Sequence, residues 1–152
     1  FQYVMTMTLA QIPGYFSAAY LVDRIGRKPT LALYLTGTAI SAYFFGLSSD
    51  VQGILVMGSL MSFFNLGAWG IVYTYTPELY PTQARATGSG WAAGFGRIGG
   101  ILAPIVVGIM IGSFKLSSQS VFMMFAAVLI LTALNVVFLG EETKGRPMDE
   151  GI

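Results

Sequence analysis

The 152-residue sequence contains no cysteine and no histidine. Without cysteine there is neither a disulfide framework nor a thiolate nucleophile, and the redox compartment leaves no trace. Without histidine the chain lacks the commonest metal ligand and the one side chain that normally titrates near neutrality. Charge is scarce too, at 10% of residues against about a quarter in soluble domains. The formal net charge of +1 names no partner. With no nucleophile–base pair, no metal-ligand cluster and no paired acids facing a cavity, the parts of an enzyme are missing. No cofactor, metal or nucleic-acid site is expected.

What is present is apolar: 55% hydrophobic residues and a mean hydropathy of +0.69. Five runs, about 1–22, 31–47, 51–76, 86–112 and 121–140, are each long enough for a roughly 30 Å hydrocarbon core. A soluble helical core would need polar stripes at helical spacing, and the second and fifth runs have almost none. The expected fold class is therefore all-α, a polytopic membrane helical bundle, with residues 141–152 as a polar tail. The first run is too long for a signal peptide and has no basic region ahead of it. The sequence opens at Phe1 inside that run, as expected for a fragment of a longer protein.

The few charges are placed unevenly. Arg24, Arg27, Lys28, Arg85, Lys144 and Arg146 fall on one side of the alternating loops and only Lys115 on the other. Cytoplasmic loops collect Lys and Arg, so the amino end is expected outside and the carboxyl end inside. The first loop, Asp23-Arg24-x-Gly26-Arg27-Lys28-Pro29, holds more than a topology signal requires. Gly26 permits a tight or left-handed turn, and Pro29 suits the first turn of a following helix. Asp23 ends a helix whose dipole disfavours it unless a base or another helix's amino terminus answers. Two readings stand: a turn that only marks the cytoplasmic side, or a loop that docks onto something.

Arg97 is the one charge deep within a run, roughly 16 Å along its helix. A charge at such depth is a functional candidate. Its helical neighbours include Gly90, Gly94, Ile101 and Pro104, and Gly90/Gly94 and Gly96/Gly100 form pairs of small residues that admit close helix packing. The glycines make room for an anionic ligand at Arg97, or they seat a helix that satisfies it. Asp23, Asp50 and Glu78 lie near run ends, so a partner for Arg97, or a proton-coupling carboxylate, is expected elsewhere in the protein. In the third run Asn65, Trp69 and Tyr73 share one helical face, as for a polar and aromatic cavity wall. Tyr75 and Tyr80 fit an interfacial belt. Gln11 and Asn135 are weaker candidates, and Pro13 and Pro104 should kink their helices.

Three segments carry a family resemblance: the Asp-Arg-x-Gly-Arg-Lys turn, "PELYPTQARATGSG" (77–90) and "EETKGRPMDE" (141–150). In that order and on one predicted side, they resemble the cytoplasmic motifs of major facilitator superfamily transporters of the sugar porter, organic ion and organic acid branch. The resemblance covers essentially the whole chain. It implies helices 8 to 12, part of the carboxyl-terminal six-helix half of a twelve-helix fold, with helix 7 and the amino-terminal half absent. Ala19 stands where the family has a Gly, Glu141 where the tail motif has Pro, and Met148 where it has Leu. Tyr73 replaces a Trp typical of sugar porters, and "GAWGIVYTYT" lacks their Pro; both weaken the sugar reading. "GSGWAAGFGRIGGILAP" is similar to organic acid and nicotinate-type carriers and the synaptic vesicle relatives.

The resemblance implies a cytoplasmic gate in which Asp23, Arg24 and Arg27 meet Glu78 and Arg85. It further implies a secondary carrier for a small organic solute, anionic and aromatic, working by alternating access. Sugar or organic cation transport, or a non-transporting receptor or scaffold, are the alternatives. The expected partners are the solute, membrane lipid and the rest of the same protein. Candidate solute-binding residues are Arg97, Asn65, Trp69, Tyr73 and Gln11.

Overall fold

The computed structural model describes residues 2–145; Phe1, Arg146 and Met148 lie outside this range. The described residues form six helices: α1 (Gln2–Leu9), α2 (Gln11–Ile25), α3 (Arg27–Leu47), α4 (Val51–Glu78), α5 (Arg85–Gly112) and α6 (Ser118–Leu139). Four of them, α3 to α6, are long and apolar enough to cross a membrane.

The first apolar run is divided in two at Ala10. Pro13 is the reason: it has no N–H for the carbonyl of Leu9, and its ring crowds that carbonyl, so the ladder breaks a turn before the proline. The other helices begin or end in polar residues beyond the apolar runs. Asp50 caps α4, accepting from the Gly53 N–H at 2.8 Å, and Ser117 caps α6 by accepting from Ser120 N–H at 3.3 Å. Between α2 and α3 there is a single corner residue, Gly26, at φ 104°. Pro29 falls in the first turn of α3, where its missing N–H leaves no helical bond unmade.

α3 lies at the centre, packed along α4 on one side and α6 on the other, while α2 and α1 lie against α4. The core gathers Ala18 and Val22 of α2, Leu31, Tyr34 and Leu35 of α3, Ala68, Ile71 and Tyr75 of α4, and Ala133 of α6. Tyr34 is its pivot. The ring is 2% exposed, meets Phe64 edge-on with centroids 5.6 Å apart, and shares a 2.7 Å hydrogen bond with Ser17 through its hydroxyl.

The close helix approaches occur at Gly14 and Gly67. A Cβ on Gly14 would collide with the Phe63 backbone, and one on Gly67 with the Tyr34 ring. The glycines of α5 behave differently: none of the described residues comes within 4 Å of a Cβ built on Gly90, Gly94, Gly96 or Gly100. α5 buries no residue and touches only α4 and α6 lightly. Pro104 is likewise exposed, so the helix packing expected of these residues is not met by the described helices.

Candidate functional site

Four helix ends and the segment after α6 converge at one end of the bundle. Arg27, the first residue of α3, reaches the last residue of α4. Its Nε donates to Glu78 Oε2 at 3.0 Å and its Nη2 to Oε1 at 3.1 Å. Two parallel bonds from a planar fork to a carboxylate fix geometry as well as energy. Both side chains are about one-fifth exposed, at 19% and 21%. Asp23 stands one turn before Arg27, with Oδ1 3.7 Å from Nη1, and is 82% exposed. Thus the acid at the end of α2 is answered by a base at i+4.

The segment after α6 completes the cluster. Glu142 places its carboxylate on the amino terminus of α3, accepting from Arg27 N–H at 2.9 Å and Lys28 N–H at 3.1 Å. Those donors have no partner within their own helix, and the positive end of the helix dipole favours the anion. Burial works against the Glu142 charge, but backbone N–H groups of Lys144, Arg27, Lys28 and Thr143 outweigh it and hold the carboxyl below the usual glutamate range. Thr143, buried at 6%, gives its hydroxyl to Glu78. Lys144 Nζ donates to the Arg24 carbonyl at 2.6 Å, and the Tyr75 hydroxyl donates to the Glu141 carbonyl.

Gly26 makes the arrangement sterically possible. Its φ lies where a side chain is strained, and a Cβ there would stand 2.6 Å from Glu142 Oε2. The carboxylate occupies the space that the missing side chain leaves.

The residues expected at a gate are distributed as follows. Arg27, Glu78 and Asp23 come together. The Arg24 guanidinium lies over the Tyr20 ring of the same helix, 5.3 Å from its centre, where a cation is attracted by the ring face. Arg85 donates through Nε to the Pro77 carbonyl at 3.1 Å, tying the start of α5 to the end of α4. The sequence assigns no role to Glu142 or Thr143, and to Tyr75 only a place in an interfacial belt. The tail motif was visible, but a carboxylate bound by backbone N–H groups has no side-chain partner to search for. Tyr75, expected at the membrane interface, is 5% exposed and belongs to the core.

The residues expected to meet solute occupy three places. Gln11 and Asn65 line a cavity of about 460 Å³ between α2, α3, α4 and α6. Trp69 and Tyr73 pair with each other, ring centroids 5.5 Å apart and 30° inclined, on an exposed face outside that cavity. Arg97 is exposed on α5. A smaller cavity of about 200 Å³ lies beside the ion-pair cluster, between α2 and α4, with Asp23 and Arg27 at its polar end.

Long apolar helices braced at one end by a polar cluster define an integral membrane protein of the polytopic helical-bundle class. The chain belongs to the major facilitator superfamily, whose family model matches residues 2–151. It is 57% identical over 149 residues to a niacin transporter of Acinetobacter baylyi, covering 98% of this chain and 34% of that protein. It is 53% identical over 144 residues to a putative niacin/nicotinamide transporter of Bacillus subtilis, covering 95% of this chain and 36% of that protein. A synaptic vesicle 2-related protein of Xenopus laevis is 32% identical over 143 residues, covering 94% of this chain and 26% of that protein. The chain thus spans about a third of the length of the niacin transporters it matches.

Proposed function

We propose that this chain is the part of a secondary carrier that supplies membrane helices 8 to 12 of a twelve-helix fold, the α1/α2 pair counting as the first of the five. The polar cluster faces the cytoplasm, the amino end starts outside, and the carrier moves a small aromatic acid by rocking its halves around a site near the membrane midplane. One observation carries this reading: Arg27 and Glu78, more than fifty residues apart in sequence, join the helix ends at one end of the bundle, and the exposed Asp23 carboxylate stands 3.7 Å from Arg27 on the outer side of that pair. Exposed ion pairs contribute roughly 0 to 1 kcal/mol each, which suits contacts that an exposed group such as Asp23 would make with another part of the protein, closing a passage and releasing it in every cycle. Asp23, Arg24 and Arg85 complete this cytoplasmic gate.

The solute class is supported by the printed names of the two niacin transporters and by chemistry in this chain. Arg97 is the cation at membrane depth, and Trp69 with Tyr73 offers an aromatic face. Both are exposed on the described helices, where the rest of the protein and a solute between the two parts would cover them.

The test is uptake of labelled nicotinate into proteoliposomes by the full-length protein, with hexose, organic cations and other aromatic acids as competitors. Aromatic acids should compete and hexoses should not. Arg97→Gln should abolish uptake while the protein still inserts and remains monodisperse. Competition by hexose or by cations would overturn the acid assignment, and normal uptake by Arg97→Gln would remove Arg97 from the site.

A further inference from the structure

The first apolar run is held unequally along its length. Its second part, α2, meets α4 through the backbone, since a Cβ on Gly14 would collide with the main chain of Phe63. Ser17 adds a polar tie to a third helix by sharing a 2.7 Å hydrogen bond with the Tyr34 hydroxyl, and the Tyr34 ring fills the space over Gly67 of α4. At the far end Arg27, just past the Gly26 corner, grips Glu78. These contacts join α2, α3 and α4 into one unit.

The first part, α1, meets α4 through the end of a side chain. The Met7 methyl covers Gly58, where a Cβ would stand 2.5 Å from it, and the Phe45 ring of α3 lies beside them. Methionine is unbranched with three rotatable bonds, so such a contact follows a moving helix instead of fixing it. Thr6 and Thr8 turn their hydroxyls back onto the carbonyls of Gln2 and Val4, at 3.0 and 2.8 Å, an arrangement that often bends helices.

The two parts join at Ala10, where Pro13 withholds the bond that would stiffen the junction. Prolines are where helices bend sharply. There is also room beside the joint: Gln11, the first residue of α2, lines the cavity of about 460 Å³ whose walls include Thr38, Met61 and Phe122. A packed interior resists continuous deformation, so unfilled space next to a bend is what lets one arrangement exchange for another.

We infer that residues 10–13 form a hinge about which α1 swings as a lid, the Met7 side chain sliding over Gly58, while α2 stays fixed to α3 and α4. The hinge does not depend on what the protein carries; placing the lid on the outer face rests on the carrier reading. On that reading one span is mobile at its outer end and braced at its cytoplasmic end. α1 has eight residues, about 12 Å in length, so a swing of roughly 20° moves its far end by about 4 Å.

Distances between spin labels, measured by double electron–electron resonance on the full-length protein without other thiols in lipid nanodiscs, read this motion. One pair, Tyr3→Cys with Met123→Cys, joins α1 to α6; the other, Phe16→Cys with Leu131→Cys, joins α2 to α6. All four positions are exposed on the described helices, and α6 packs along α3. The first pair should show two populations about 4 Å apart, and the second a single narrow one. Pro13→Ala, which returns an N–H to the Leu9 carbonyl, should merge the two populations into one and leave the second pair unchanged.

A single narrow population for the first pair, with and without saturating nicotinate, would overturn the hinge. So would equal spread in both pairs, or two populations that survive Pro13→Ala. Should Pro13→Ala fail to insert, the contrast between the two parent pairs still decides. Nicotinate uptake by the unlabelled parent is read separately: uptake with a fixed α1 removes only the hinge, and a mobile α1 without uptake removes only the carrier reading.

Discussion

Removing the Glu78 charge should loosen the end of the bundle where α2, α3 and α4 meet. In Glu78→Gln the side chain keeps its shape but gives up its bidentate partnership with Arg27, and the Arg27 guanidinium is left four-fifths buried without that anion. Fully exposed pairs contribute roughly 0.2 to 1 kcal/mol, and breaking a fully buried pair costs roughly 3 to 5 kcal/mol. A pair at about one-fifth exposure with two well-formed bonds falls between, at roughly 1.5 to 3 kcal/mol. At about 1.4 kcal/mol per decade, that raises the local opening equilibrium on the order of 10- to 100-fold. Ala18 is a suitable reporter because it is 2% exposed and lines the smaller cavity between α2 and α4. In the full-length protein, with Ala18→Cys as the only reactive thiol, maleimide labelling under native conditions reads the opening equilibrium. Glu78→Gln, Arg27→Gln and the double variant close a cycle, and the coupling should be about 1 kcal/mol or more. Labelling rates that multiply independently, with coupling near zero, would refute the claim that this pair holds the helix ends together.

Glu142→Gln tests the anion on the amino terminus of α3. Its folded-state carboxyl lies below the ordinary range, so its contribution is fully present above the ordinary glutamate value and is lost as pH falls through the depressed one. The thermal midpoint of the Gln variant should be lower near neutrality, and the parent and variant curves should converge in acid; a constant offset at every pH would deny the charge its role. Gly26→Ala should destabilise more than Gly145→Ala. Both positions have positive φ, at 104° and 74°, yet only the Gly26 Cβ meets the Glu142 carboxylate, so backbone strain of roughly 1 to 3 kcal/mol is increased by a clash. Equal shifts in thermal midpoint would mean that the carboxylate moves aside freely.

Four of the five apolar runs coincide with single long helices, α3 to α6, because apolar length is a property of sequence alone. Their ends were less legible. Arg27 and Arg85 are the first residues of α3 and α5, since polar residues continue a helix past the point where apolar character stops. Pro13 marked the irregularity in the first run, and the break falls at Ala10 because the bond a proline removes belongs to the preceding turn. Small-residue spacing carries no address. Gly14 and Ala18, four apart, are buried against α4, but the conspicuous glycine stripe of α5 meets nothing among the described residues. Spacing shows that a helix can be approached closely and leaves open which neighbour approaches. Within the polar cluster, only the family resemblance joins Arg27 to Glu78, because charge by itself does not say which acid a base will meet. The role of Glu142 could not be found, because its partners are backbone donors that any two residues would have supplied. Arg24 and Tyr20, at i and i+4, were neighbours that helical geometry alone would bring together.

The contacts at the polar end divide into two kinds, and the division bears on how a gate could work. Glu142 on α3, Thr143 on Glu78 and Tyr75 on Glu141 tie the segment after α6 to α3 and α4 within this one chain. They therefore brace this bundle and can persist whether a passage is open or shut. A gate between two parts of a larger protein needs groups that look outward from the brace. Asp23 is such a group: its carboxylate is 82% exposed and only 3.7 Å from the Arg27 fork. The Arg24 guanidinium, held over the exposed Tyr20 ring, is another. On this view Arg27 serves both functions, gripping Glu78 inside while its remaining nitrogen holds Asp23 at the surface. Weakening the internal pair would then loosen the brace and misplace the gate together, whereas neutralising Asp23 would release the gate and leave the brace intact.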